Sequence, residues 1–141
     1  MLQLEKYKLS IDSVNPSNFE EYALSLFRYQ AEYNVVYKEY LDRLQIDSNT
    51  VDSKRKIPFL PIDFFKTHRI KSGEWPTKTE FKSSGTTHST RSVHEVEDEQ
   101  FYLENTKRIF EKQYGALKGW RFFALLPSYQ EQGFSSLIKM V

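Results

Sequence analysis

Apolar positions at Phe19, Tyr22, Ala23, Leu26, Tyr29, Tyr33, Val36, Tyr37, Tyr40, Leu41 and Leu44 recur in steps of three and four. That spacing lays one stripe along an α-helix and predicts a long helix over residues 16–44. The cluster Asn15-Pro16-Ser17-Asn18 supplies its start. Glu20, Glu21, Arg28, Glu32, Lys38, Glu39 and Asp42 fall largely on other faces. A break is expected near Asn34, because Val35 and Val36 follow it with poor helix propensity. The tyrosines of the stripe read as core packing with hydroxyls at a wet edge, and the alternative is a substrate-lining role.

Residues 45–56 form a polar connector whose triplet Lys54-Arg55-Lys56 reads as a solvated loop. In Ile57-Pro58-Phe59-Leu60-Pro61-Ile62-Asp63-Phe64-Phe65 two prolines three apart forbid a regular strand or helix across both. The expectation is an extended apolar segment, residues 57–66, pinned to the core, with Pro61 opening a short helix. His68, beside Arg69, is read as a surface or helix-end residue and not as a ligand.

Farther along, residues 79–82 and Val93-His94-Glu95-Val96 have the period of short strands, which predicts a hairpin over residues 79–96. Residues 97–114 predict a second helix, with an acidic first turn, Lys107, Arg108 and Lys112 later, and Gly115 at the C-terminal cap. Phe101, Tyr102, Ile109, Phe110 and Tyr114 are its expected buried residues. The run Trp120-Arg121-Phe122-Phe123-Ala124-Leu125-Leu126, ended by Pro127, reads as a strand covered on both faces. Helix followed by buried strand is half of a βαβ unit, so the fold class is α/β, with a helical first half and the start of a sheet in residues 97–141. Ser135 and Ser136 are placed near a helix N-terminus, either as caps or as anion contacts. That helix runs to Val141 without a capping signal, which leads to the expectation of an incomplete domain.

Composition narrows the partners. The length of 141 residues suits one domain, and the 20 basic against 19 acidic residues give no bulk charge for a nucleic acid to follow. The sequence contains no cysteine, which rules out a disulfide scaffold, a thiolate metal site and a cysteine nucleophile within it. No apolar run reaches membrane-spanning length and no signal-peptide core opens the chain. Neither nucleic acid nor membrane is therefore expected, and the expected compartment is the cytoplasm.

The candidate chemistry lies in residues 81–92, Phe-Lys-Ser-Ser-Gly-Thr-Thr-His-Ser-Thr-Arg-Ser. Seven hydroxyl side chains surround Gly85, and Arg91 adds a cation able to meet phosphate oxygens with two donors. Ser, Thr and Gly also compose ordinary surface loops. A strand on either side points instead to a backbone nest for a phosphate chain. The Gly-Lys pair of a nucleotide-binding loop that runs from strand into helix is absent.

Ser83-Ser84-Gly85-Thr86-Thr87 resembles the phosphate loop of the adenylate-forming superfamily. Three further segments sharpen the likeness: Leu26-Phe27-Arg28-Tyr29-Gln30-Ala31-Glu32, the proline segment through His68, and Leu125-Leu126-Pro127-Ser128-Tyr129. Together they resemble the N-terminal part of the acyl-protein synthetase (LuxE-like) branch, related to phenylacetate-CoA ligases. The resemblance implies that ATP and a carboxylic acid form an acyl-adenylate, after which the acyl group passes to a thiol or hydroxyl acceptor such as coenzyme A or a protein. It further implies that Ser83, Ser84, Gly85, Thr86, Thr87 and Arg91 hold the phosphates with Mg²⁺ sharing their charge. No catalytic residue is assigned within the chain. Two positions depart from the family pattern: His88 replaces a second glycine and Arg91 replaces a lysine. The alternative reading is a degenerate, non-catalytic binding or assembly module of the same fold. An incomplete domain would also leave apolar surface through which copies self-associate.

Overall fold

The apolar stripe of residues 16–44 folds as two helices rather than one. In the computed structural model, which describes residues 6–8, 10–83, 90–123, 135–136 and 139, α1 spans Phe19–Tyr33 and α2 spans Val35–Arg43. Asn34 lies between them in extended backbone and works for both. Its N–H donates to the Gln30 carbonyl at 2.9 Å, closing α1. Its side-chain Oδ1 accepts the Tyr37 N–H at 3.1 Å, capping α2. The expected weak point is thus a specific double cap.

Two units compose the chain, Met1–Glu74 and Trp75–Val141. The first is helical. Phe27 and Ala31 of α1, Tyr37 and Leu41 of α2, and Val51 of the connector form its core, with Leu24, Tyr40, Ile46, Ile57 and Leu60 packed around them. Phe27 and Leu41 are only 2% and 3% exposed, and burying such a side chain stabilises by about 1.5–3 kcal/mol. Three polar bonds fasten the connector to α1. Arg28 donates to the Val51 carbonyl at 3.2 Å, while Glu20 accepts from the Ser53 hydroxyl and the Lys54 N–H. Tyr7, at the N-terminal end of the described chain, ties itself to α1 through its hydroxyl and the Ser25 carbonyl, 2.9 Å apart.

The proline segment is held as expected at some points and not at others. Tyr37 donates its hydroxyl to the Pro58 carbonyl at 2.6 Å, and Ile57 and Leu60 reach the core. Phe59 and Ile62 point outward, 80% and 75% exposed. The short helix α3 covers Phe64–Thr67, later than the expected start at Pro61. Its lead-in is wound more tightly: Phe64 N–H bonds Pro61 and Phe65 N–H bonds Ile62, three residues apart, before the α-type bond from His68 to Phe64. His68 stacks on Phe64, with ring centroids 5.2 Å apart, at the helix end where the sequence placed it.

In the second unit, β1 (Thr79–Lys82) and β2 (Val93–Val96) pair antiparallel, Phe81 opposite His94 and Lys82 opposite Val93. Helix α4, Glu99–Tyr114, follows at once. Asp98 caps it by accepting the Phe101 N–H at 2.9 Å, and Gly115, with φ of 83°, ends it. Phe81 packs on Tyr102 of α4, and the Thr79 hydroxyl donates to Glu99 at 2.8 Å. The fold is mixed, with helices and a small two-stranded antiparallel sheet.

Two expectations fail here. Helix α4 buries none of its residues, and Ile109 and Tyr114 are both 59% exposed. Its first turns meet the hairpin at Glu99 and Tyr102, and farther along Phe110 packs against Tyr114, Trp120 and Phe122. Nor do residues 120–123 form a covered strand: they have no regular structure, and Phe123 is 94% exposed. A doubly covered strand needs neighbours on both sides, and among the described residues no strand pairs in parallel. Residues 124–126 lie outside the described part. No helix among the described residues is long and apolar enough to cross a membrane.

Candidate functional site

The hairpin brings the two feet of the hydroxyl loop together at Ser83 and Ser92. Ser83 N–H donates to the Ser92 carbonyl at 3.0 Å, and Ser92 N–H donates to Ser83 Oγ, also at 3.0 Å. Thr90 and Arg91 precede Ser92 on the β2 side, both exposed. Of the six residues the sequence assigns to phosphate binding, Ser83 and Arg91 are therefore placed at the base of the hairpin, while Ser84, Gly85, Thr86 and Thr87 lie outside the described residues, as does His88.

The described donors suit an anion. A serine hydroxyl that accepts through its oxygen still carries a hydrogen, and the guanidinium of Arg91 offers a forked donor pair. Carboxylates nearby are committed to the hairpin. Glu95 is buried and accepts from the Thr77 hydroxyl, and Glu80 stands opposite it in the register, 3.9 Å from the Lys82 ammonium. Glu99 is held below the usual carboxylate range, first by its hydrogen bond from Lys139 and then by Thr79. Among the described residues no group of three His, Asp or Glu side chains could hold a metal. Mg²⁺ that travels on a nucleotide is held largely by phosphate oxygens and water.

A second feature was not foreseen. The first unit contains a cavity of about 560 Å³, walled by side chains including Leu26, Phe27, Ile57, Leu60, Phe65 and Ile70. Of its polar members, Asn34 caps α2 and Tyr37 holds Pro58. Lys54 lies at its edge, its ammonium 5.0 Å from the Phe19 ring centroid. The signal in the sequence was the proline segment itself: a stretch that can form neither strand nor helix leaves space between its side chains and the helices it crosses.

No family model matches the chain, and no curated protein or solved structure shows significant similarity to it.

Proposed function

We propose that the chain is the N-terminal portion of an ATP-dependent acyl-activating enzyme of the adenylate-forming type, in which the hydroxyl loop grips the departing pyrophosphate. The observation that carries this reading is the setting of Ser83-Ser84-Gly85-Thr86-Thr87: a short antiparallel hairpin pinched at its base, with Arg91 at one foot. In the first step a carboxylate oxygen bonds to the α-phosphorus of ATP and the bond to pyrophosphate breaks. In the second a thiol or hydroxyl attacks the acyl carbon, losing its proton, and AMP leaves. The residues present serve the first step alone, by neutralising charge that grows on the leaving phosphates. The acid, the acceptor and the remaining catalytic groups belong to parts of the site that these residues do not supply. A cysteine-free chain suits the reducing cytoplasm.

The test is acid-dependent exchange of labelled pyrophosphate into ATP by protein containing this chain. Thr86→Ala and Gly85→Val are each expected to lower exchange about tenfold or more, since a hydrogen bond to a charged group is lost or the loop backbone is blocked. Unchanged exchange in both variants sinks the assignment. His88 in the position of a family glycine favours one other reading, a module that binds nucleotide without turning it over. Binding of Mg·ATP without exchange is its signature.

A further inference from the structure

The antiparallel ladder of β1 and β2 stops at Lys82 and Val93, although the chains remain side by side for one more pair. In a continuing ladder a hydrogen-bonded pair exchanges two N–H···O=C bonds. Ser83 makes the first, through its N–H and the Ser92 carbonyl. The second goes elsewhere: Ser92 N–H donates to Ser83 Oγ. A side-chain hydroxyl thus takes the place of a backbone carbonyl, so the strands stay joined while the ladder ends.

The N–H that Ser83 holds belongs to the peptide group linking Arg91 to Ser92. Because a peptide group is planar, fixing that N–H also fixes the Arg91 carbonyl and narrows ψ at Arg91. We infer that Ser83 is a positioning residue, one that sets the direction in which Arg91 leaves the foot of the loop, rather than a direct ligand of phosphate. This rests on the anion-binding reading proposed above. It explains why serine is useful next to the strand even with many other hydroxyls in the loop. Alanine at position 83 removes the acceptor and frees the peptide; threonine retains it and suits a strand end.

The experiment uses the whole chain, with inorganic pyrophosphate and Mg²⁺ as the probe. Calorimetry gives affinity, and nuclear magnetic resonance gives the exchange rate of the Ser92 amide without ligand. Ser83→Ala is expected to accelerate Ser92 exchange and to weaken pyrophosphate binding about tenfold. Ser83→Thr is expected to restore both. The double variant Ser83→Ala with Arg91→Ala is expected to bind no more weakly than Arg91→Ala alone, because Ser83 acts through Arg91. Losses that simply add would make Ser83 an independent ligand and overturn the inference. So would an unchanged Ser92 exchange rate in Ser83→Ala, whatever the affinity. If the unaltered chain binds no pyrophosphate while Ser92 exchange responds as expected, the anion-binding reading falls and the hold on the Arg91 peptide stands.

Discussion

Helix α1 buries Phe27, Tyr29 and Ala31, whereas α4, one residue longer, buries nothing. Both have clear starts and ends, and both carry apolar residues at helical spacing. What separates them is company. Helix α1 is crossed by α2, the connector at Val51 and the proline segment, each contributing side chains to one core. Helix α4 meets a two-stranded hairpin near its N-terminus and its own aromatic neighbours near its C-terminus. Periodicity therefore specifies a helix, and the number of elements laid across it decides burial.

The largest expected effect tests that difference directly. Phe27→Ala should cost about 3–5 kcal/mol and Phe110→Ala about 1 kcal/mol, since only the first empties a closed core. Urea unfolding followed by circular dichroism checks both. Tryptophan fluorescence reports the second unit, because Trp75 and Trp120 both lie there. Equal losses would break the comparison.

The caps come next. Asn34→Ala should cost about 2 kcal/mol and Asp98→Ala about 1 kcal/mol, measured as shifts in the urea midpoint. Both remove a cap acceptor, but Asn34 is buried and its loss leaves the Tyr37 N–H without a partner inside the core. A larger loss for Asp98 would mean that α4 depends on its cap more than α1 and α2 depend on theirs.

The smallest effect is electrostatic. Glu20 in the first unit and Glu99 in the second are both held below the usual carboxylate range, Glu20 by the Lys54 N–H and then Ser53, Glu99 by Lys139 and then Thr79. A lowered folded pKa means that the stabilisation is complete above the unfolded value and disappears as pH falls through the folded one. Glu20→Gln and Glu99→Gln should each flatten the fall in stability between about pH 5 and pH 3. An acid limb identical to that of the unaltered protein would show that these hydrogen bonds do not persist in solution.

Much of the local structure was legible. Both strands, the start and end of α4, the break at Asn34 and the hairpin follow from alternation, capping residues and Gly115. Tertiary decisions were less so. The run from Trp120 to Phe123 has the composition of a covered strand, yet covering depends on neighbours that a local pattern does not contain. Phe59 and Phe27 are alike as letters, and only the path imposed by Pro58 and Pro61 turns one outward. At the candidate site, residue types announced hydroxyls and a cation, while the substitution of Ser83 Oγ for a ladder carbonyl is a choice of acceptor that no spacing rule encodes.

The bond from Tyr37 to Pro58 has a consequence for how long the proline segment can stay in place. Burial, followed by the proximity of Tyr40, pushes the Tyr37 phenol up to about 12. The native state therefore keeps this proton more firmly than the unfolded chain does, and the tether is at full strength below the ordinary tyrosine value of about 10. Its contribution declines as pH rises from there toward 12, because a phenolate has no hydrogen to give the carbonyl. The segment is latched by a group that neutral and acidic solutions leave untouched and that only alkali opens.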